Sequence, residues 1–202
     1  MRSSLHPGRP SGLGRGNPGR TVALVDDRIE QWWDRLRGRP LVDRVFYSAS
    51  ALGDFSLIWH LLSAARSLAP GHRPSEALRS SVTMGAESAL VNGPVKFLFR
   101  RVRPAPPDAA RPHRLRQPLT SSFPSGHATA AFTAAALLSE GARAPARAAV
   151  YALATIVATS RIHVRIHHPS DVAAGALMGM GMGWLAQRAW TIVPAPLGTR
   201  RP

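Results

Sequence analysis

The chain has 202 residues, of which 26 are lysine or arginine and 11 are aspartate or glutamate, so its formal net charge is +15. This length suits one domain, and the absence of cysteine excludes disulfide bonds and thiolate chemistry. So basic a chain can bind nucleic acid, anionic lipid headgroups or phosphorylated substrates. Its few aromatic residues are not interleaved with the basic ones as base stacking requires, so we expect no nucleic-acid partner.

The first 20 residues are rich in glycine, proline, serine and arginine. They offer almost no side chain to bury, so we predict a disordered basic tail over 1–20. A shorter tail is expected over 193–202, which leaves 21–192 as a single domain.

The segment Thr21–Arg39 has apolar residues at helical spacing with charged residues between them, which predicts an amphipathic helix. Two placements fit this pattern. The helix can lie in the interface of a bilayer with Trp32 and Trp33 at the depth of the headgroups, or it can pack on the domain.

Five apolar stretches rich in small residues follow. They cover Val45–Ala65, Ser80–Phe99, Ala128–Ser139, Ala146–Ser160 and Val172–Trp190. None is an uninterrupted run of the roughly 20 apolar residues that a bilayer-spanning helix needs. The small residues suit close helix packing in lipid, and they equally suit the core of a soluble helical protein. No segment alternates with period two, so we predict an all-α fold.

Two ionisable residues, Asp54 and Glu87, interrupt the first two stretches. A charge at such a position is costly and usually faces the interior of a helix bundle. We favour a structural hydrogen bond as the interpretation of both.

Three local motifs lie at helix ends, beside the polar linkers 100–122 and 161–170. Lys96 is the single lysine among the 26 basic residues, which also distinguishes the first motif. In chain order the motifs contain Lys96, Arg103 and Pro104; Pro124, Ser125, Gly126 and His127; and Ser160, Arg161, His167 and Asp171.

These residue types can together bind a phosphoryl group. Lys96, Arg103 and Arg161 supply three cations, and the planar fork of an arginine can grip two phosphate oxygens. Ser125 and Gly126 come directly before an apolar helix. The unpaired N–H groups and the positive dipole end of such a helix attract an anion, and the serine hydroxyl can donate one more hydrogen bond.

Two histidines and one aspartate complete the pattern. A histidine is nucleophilic at neutral pH when one ring nitrogen is unprotonated, and a carboxylate that holds the other nitrogen fixes that tautomer. Asp171 lies four residues after His167 and is the expected orienting group. His127 would protonate the leaving alkoxide and later deprotonate the attacking water. Since fixed donors meet the developing charge, we expect neither a metal nor another cofactor.

The three motifs resemble those of the type 2 phosphatidic acid phosphatase superfamily, which includes lipid phosphate phosphatases, bacterial class A acid phosphatases, glucose-6-phosphatase and vanadium haloperoxidases. Every defining position of the motifs is matched, and the order of helices extends the resemblance from about Leu41 to Trp190. In this family the residue that matches His167 is the nucleophile, the one that matches His127 is the acid and base, and the one that matches Asp171 orients the nucleophile. The resemblance implies a membrane-embedded antiparallel helical bundle of about five transmembrane helices, with the N-terminal amphipathic helix in addition.

The function implied is that of a multi-pass protein of the cell membrane that hydrolyses a phosphomonoester or diphosphate of a phospholipid or prenyl lipid. The particular lipid, the membrane face and the oligomeric state stay open. A vanadate-dependent haloperoxidase, a soluble acid phosphatase and a catalytically inactive membrane protein that binds anionic lipid through its arginines are the alternatives.

Several other residues near the motifs are assigned no catalytic part. His163 and His168 are expected to be loop residues that line the site. A metal site built on His163 and His167 would lack further ligands. Among the arginines of 100–116 only Arg103 is expected to bind substrate, and the others are expected to face solvent or lipid headgroups.

Overall fold

The computed structural model describes residues 18–104 and 120–192, and these contain eight α-helices and no strand. The predicted tails fall on residues that lie mostly outside these ranges, although helix α1 already begins at Pro18. The helices are α1 Pro18–Asp34, α2 Pro40–Gly53, α3 Leu57–Ser67, α4 Pro74–Leu90, the short α5 Lys96–Leu98, α6 Gly126–Leu138, α7 Ala144–His163 and α8 Pro169–Ile192.

Prolines mark the starts of most of these helices. Pro40, Pro74 and Pro145 stand in the first turns of α2, α4 and α7, and Pro169 is the first residue of α8. Proline is favoured there because the first helical N–H has no partner within the helix and the ring presets the helical φ angle.

Two of the predicted helices are interrupted. The stretch Val45–Ala65 is divided by a 3-10 turn, Asp54–Ser56, in which Phe55 and Ser56 have φ angles of 54° and 58°. The stretch Ser80–Phe99 passes through a π-helical turn, Val91–Val95, that contains a proline. The prediction of one continuous helix is wrong at both places, because left-handed φ angles and the missing proline N–H break the regular hydrogen-bond series.

Helix α6 lies at the centre of the bundle and packs against α4, α7 and α8. Most of its residues are buried, and most of those are small: Ala128, Thr129, Ala130, Ala131, Thr133, Ala134, Ala135, Ala136 and Leu138. Small side chains let helix backbones approach closely. Along α8, three glycines spaced by four face α6, and a Cβ atom on any of them would come within 3.0 Å of an atom of α6 or of its N-cap residue Ser125: Gly175, Gly179 and Gly183.

Large apolar side chains lie mainly on the outside of the bundle. Phe55, Leu68, Phe97 and Leu98 are among the most exposed, at 94, 82, 77 and 74%. The buried hydrophobic residues, by contrast, are mostly alanine and valine. In the part of the chain that the structure describes, no single helix combines the length and the apolar character needed to cross a membrane.

We predict that Gly179→Ala lowers the free energy of unfolding by about 1–3 kcal/mol, because its Cβ would overlap the Thr129 carbonyl of α6. The matched control is Gly181→Ala on the same helix, where nothing lies within 4 Å of the added Cβ. That variant should be about 0.5–1 kcal/mol more stable than the wild type, since alanine favours a helix over glycine. Denaturant unfolding in detergent measures both, and equal effects of the two substitutions would contradict the packing described.

Candidate active site

His167 lies in the loop between α7 and α8, and its side chain is 3% exposed. Its Nδ1 is 2.7 Å from the backbone carbonyl of Ser122, which can only accept a hydrogen bond. Nδ1 therefore carries the proton and Nε2 keeps its lone pair. The guanidinium of Arg103 donates to that lone pair, with Nη1 at 3.2 Å.

Burial lowers the pKa of His167 from its ordinary 6.5 to about 3. The positive charges of Arg161 and Arg103 act in the same direction, and Asp171 opposes them. The ring is consequently neutral at physiological pH, which is the state a nucleophile requires.

Asp171 stands in the first turn of α8 and is completely buried. Its Oδ2 accepts hydrogen bonds from the Ser122 hydroxyl and, at 2.9 Å, from the backbone N–H of His168. Its Oδ1 accepts from Arg101 at 2.6 Å. These donors stabilise the ionised form of the carboxylate.

The carboxylate of Asp171 is 3.7 Å from Nδ1 of His167, which is too long for the direct hydrogen bond we predicted. It reaches the ring through Ser122 instead: Asp171 holds the serine hydroxyl, and the carbonyl of the same serine holds Nδ1. The sequence spacing of four did not produce direct contact because His167 precedes the helix that carries Asp171.

Arg101 links this carboxylate to the N-terminal helix. Its second amino group donates to Asp26 of α1 at 2.6 Å, and Asp26 also accepts from the backbone N–H and the hydroxyl of Ser170. The expectation that the arginines of 100–116 other than Arg103 mostly face solvent or headgroups does not hold for Arg101. A single sequence contains no signal that joins Arg101 to Asp26, 75 residues earlier.

Arg103 is held rigidly beside the nucleophile candidate. Its guanidinium donates to the backbone carbonyls of Thr120, Ser121 and Ile166, at 3.2, 3.1 and 3.0 Å. Carbonyls position the group without neutralising it, so its positive charge stays available for an anion.

Two further cations lie on neighbouring helices. Arg161, in the last turn of α7, donates to the hydroxyl of Ser50 on α2. Lys96 donates to the side-chain carbonyl of Asn92 at 2.9 Å, and its Nζ would be 3.8 Å from a Cβ on Gly126. The ammonium of the first motif thus lies beside the N-terminus of α6, where the second motif begins.

Ser125 is the N-cap of α6. Its hydroxyl accepts a hydrogen bond from the N–H of Ala128 at 3.4 Å, and its own N–H donates to the backbone carbonyl of Asp171 at 3.1 Å. A hydroxyl that accepts still has its proton to donate, so capping is compatible with the predicted contact to a phosphate oxygen.

His127 occupies the first turn of α6. Its Nε2 is 3.0 Å from Oδ1 of Asp54, and the ring hydrogen-bonds to the backbone of Ser50. Asp54, which we interpreted as forming a structural hydrogen bond, thus has its carboxylate in contact with a motif histidine.

The side chains of His163 and His168 do not line the site as predicted. His163 accepts from the indole N–H of Trp33 at 3.1 Å and lies 2.8 Å from Asp43. The ring of His168 lies 3.0 Å from Glu30 of α1. The two rings therefore hold α1 and α2 against the end of α7 and the loop that follows it. Within residues 18–104 and 120–192, no three His, Asp or Glu side chains are grouped so that they could hold a metal.

Helix α1 packs on the domain through its polar side. Three residues at helical spacing, together with Arg37 in the turn that follows α1, contact the α7–α8 region: Asp26, Glu30 and Trp33. The opposite stripe is apolar and exposed: Val22, Val25, Ile29 and Trp32. Both placements left open by the sequence are therefore compatible, since the helix packs on the domain and still presents an apolar face outward.

The fold and the arrangement of the three motifs define a helical phosphatase. The model of the PAP2 superfamily matches residues 76–192, which are more than half of the chain. The chain belongs to this superfamily, and the family and the enzyme class predicted from the motifs are confirmed.

Among curated proteins, the chain is similar to a decaprenylphosphoryl-5-phosphoribose phosphatase from Mycolicibacterium smegmatis, with 36% identity over 143 residues, 69% of this chain and 74% of the relative. The protein of the same description from Mycobacterium tuberculosis is 35% identical over 148 residues, 71% of this chain and 80% of the relative.

Two solved structures share the fold. LpxE from Aquifex aeolicus has a TM-score of 0.65 and 28% identity, covering 81% of this chain and 95% of that one. A transmembrane PAP2-type phosphatidylglycerolphosphate phosphatase from Bacillus subtilis has the same TM-score and 22% identity, covering 86% and 88%.

We predict that Arg101→Ala lowers the free energy of unfolding by about 3 kcal/mol, because it leaves two buried carboxylates without their shared cation. Phosphatase activity should fall as well, since Asp171 loses a hydrogen bond that fixes it. The matched control is Arg100→Ala, the exposed neighbour, which should change neither property. Thermal unfolding and phosphate release test both variants, and indistinguishable behaviour would contradict the network.

We predict that stability falls as the pH decreases from about 6.5, the ordinary pKa of histidine, toward the folded value of about 3. Below pH 6.5 the unfolded chain binds a proton at His167 that the folded protein excludes, so the folded state loses up to about 1.4 kcal/mol per pH unit through this ring. His167→Asn should reduce the slope of unfolding free energy against pH between about pH 6 and about pH 4. An unchanged slope would show that the ring is not held neutral.

Proposed function

We propose that this protein is a membrane lipid phosphatase that hydrolyses a phosphomonoester or diphosphate of a phospholipid or prenyl lipid through a phosphohistidine. The observation that carries the proposal is the tautomer of His167. Its Nδ1 proton is committed to a carbonyl, and its Nε2 lone pair is directed at the guanidinium of Arg103. A phosphate bound to that arginine would meet an unprotonated nitrogen.

In the first step Nε2 of His167 attacks phosphorus. The N–P bond forms, the bond from phosphorus to the leaving oxygen breaks, and its electron pair stays on that oxygen. His127 delivers the proton that this oxygen needs. The ring of His167 becomes positively charged, and Asp171 and the Ser122 carbonyl stabilise that charge.

In the second step water hydrolyses the phosphohistidine. Neutral His127 takes a proton from the water as its oxygen attacks phosphorus, and the N–P bond breaks with its electron pair returning to Nε2. Both histidines then have their initial protonation states, so the cycle consumes only water and substrate.

Positive charge for the phosphoryl oxygens comes from Lys96, Arg103 and Arg161, with Ser125 and Gly126 at the N-terminus of α6. These groups are already held by protein hydrogen bonds, so they need not reorganise as charge develops. The proposed mechanism therefore uses no metal and no cofactor.

A lipid substrate and a multi-pass membrane location are supported by the surface and by the relatives. Leucine, phenylalanine and valine side chains cover the outside of the bundle, while alanine, threonine and glycine fill the interfaces between helices. The named relatives include phosphatases of decaprenylphosphoryl-5-phosphoribose, and one structural neighbour is described as transmembrane. We propose that α2–α3, α4, α6, α7 and α8 supply the five spans and that α1 lies at the interface.

We predict that His167→Ala reduces phosphate release from lipid phosphates by about a thousandfold or more while the protein stays folded. The control is His60→Ala on α3, whose ring hydrogen-bonds to Ser81 of α4 and should be dispensable. Phosphate release from phosphatidic acid, phosphatidylglycerol phosphate and prenyl substrates in detergent measures the effect. Turnover at the wild-type rate by folded His167→Ala would contradict the assignment of His167 as the nucleophile.

A further inference from the structure

The turn that follows α2 is built against His127. Phe55 and Ser56 both adopt left-handed φ angles, which non-glycine residues rarely take unless their surroundings impose them. Gly53 lies directly on the histidine ring, since a Cβ there would be 2.7 Å from Cδ2. The result of this unusual backbone is that Oδ1 of Asp54 lies 3.0 Å from Nε2 of His127.

The contact between Asp54 and His127 involves Nε2, the ring nitrogen from which we propose that the proton is transferred. The ring already hydrogen-bonds to the backbone of Ser50. Nε2 makes no directed hydrogen bond to any described residue, although Asp54 is at ion-pair distance. The bond to Ser50 is therefore made by Nδ1, which leaves Nε2 as the nitrogen for the proposed proton transfer.

Asp54 differs from the other carboxylates of the site in its exposure. Its side chain is 51% exposed, whereas Asp171 and Asp26 are buried and bound to Arg101. Among the described residues Asp54 forms an ion pair with His127 but with no lysine or arginine. Its negative charge therefore lies beside Nε2 of His127, the nitrogen assigned to proton transfer to the leaving group.

We propose that Asp54 selects the leaving group, favouring a neutral alcohol over a lipid phosphate. This inference rests on the proposed function and narrows it to monoesters, whose products are inorganic phosphate and a hydroxyl-bearing lipid. A leaving alcohol with neighbouring hydroxyl groups fits best, because those groups can donate to the carboxylate.

A carboxylate at position 54 favours the cleavage of a monoester and disfavours the cleavage of a diphosphate. When a monoester is cleaved, the bond from phosphorus to the alcohol oxygen breaks, and the alkoxide takes the proton of Nε2. Asp54 helps by stabilising the imidazolium that supplies it. When a diphosphate is cleaved, the leaving group is itself an anionic phosphate that would depart next to a carboxylate, and like charges repel. That leaving group is also a weaker base and gains less from the proton.

Arg161 does not cancel this discrimination. It interacts electrostatically with both Asp54 and His127. However, it is one of the cations proposed to bind the transferred phosphoryl group, and that group is the same in both substrate classes. The difference between the classes lies only in the departing group, and Asp54 is the charged residue in contact with the group that protonates it.

The test compares kcat/KM for phosphatidylglycerol phosphate and for farnesyl diphosphate, measured by phosphate release in the same detergent micelles. Wild type should prefer the monoester by at least about tenfold. Asp54→Asn should shift the ratio toward the diphosphate by about tenfold, which corresponds to about 1.4 kcal/mol. Because each ratio comes from one preparation, a reduced folded fraction cancels out.

Two controls isolate the charge of Asp54. Asp54→Glu keeps the charge and should stay close to the wild-type ratio. Asp43→Asn removes the other aspartate of this region that pairs with a histidine, His163, and should leave the ratio unchanged. Should Asp54→Asn fail to fold, Asp54→Ser carries the same expectation.

Two outcomes would overturn the inference. One is a wild type that prefers the diphosphate. The other is a ratio within about twofold of wild type in folded Asp54→Asn, which includes an equal loss on both substrates. Release of phosphate from neither lipid by wild type would overturn the proposed function, and the inference with it.

Discussion

The buried carboxylate of Asp171 is the constraint on which the site depends. An ionised carboxylate removed from water costs several kcal/mol unless donors surround it. Ser122, the backbone of His168 and Arg101 supply these donors. One of these donors, Ser122, is held in place by Asp171, and its carbonyl in turn holds Nδ1 of His167. Another, Arg101, connects Asp171 to Asp26 of α1.

Close helix packing places the remaining groups. The glycines of α8 allow it to approach α6, so that the N-terminus of α6 lies against the start of α8 and Ser125 bonds directly to the backbone of Asp171. The π-helical turn after α4 brings Lys96 to the same point. Small residues between the helices are thus a requirement of the site.

The sequence predicted the features that depend on the chemistry of neighbouring residues, namely the helices and the motifs. Apolar stretches indicated the helices, and the cations, histidines and aspartate of the motifs were recognisable because phosphate binding needs those residue types. The pairs Arg101–Asp26, Ser122–His167 and Asp54–His127 were not predictable, because each joins segments 45 to 75 residues apart with no shared pattern. The break after α2 was missed because Phe55 and Ser56 are not residues that usually adopt left-handed φ angles.

The most direct test of this account is to trap the transferred phosphoryl group on the protein. Enzyme mixed with a lipid phosphate labelled in the scissile phosphoryl group, stopped in alkali within one turnover and digested, should yield label on the peptide that contains His167. The label should be acid-labile, as expected of an N–P bond. Label on another residue, or full turnover with none on the protein at any time, would contradict the central claim.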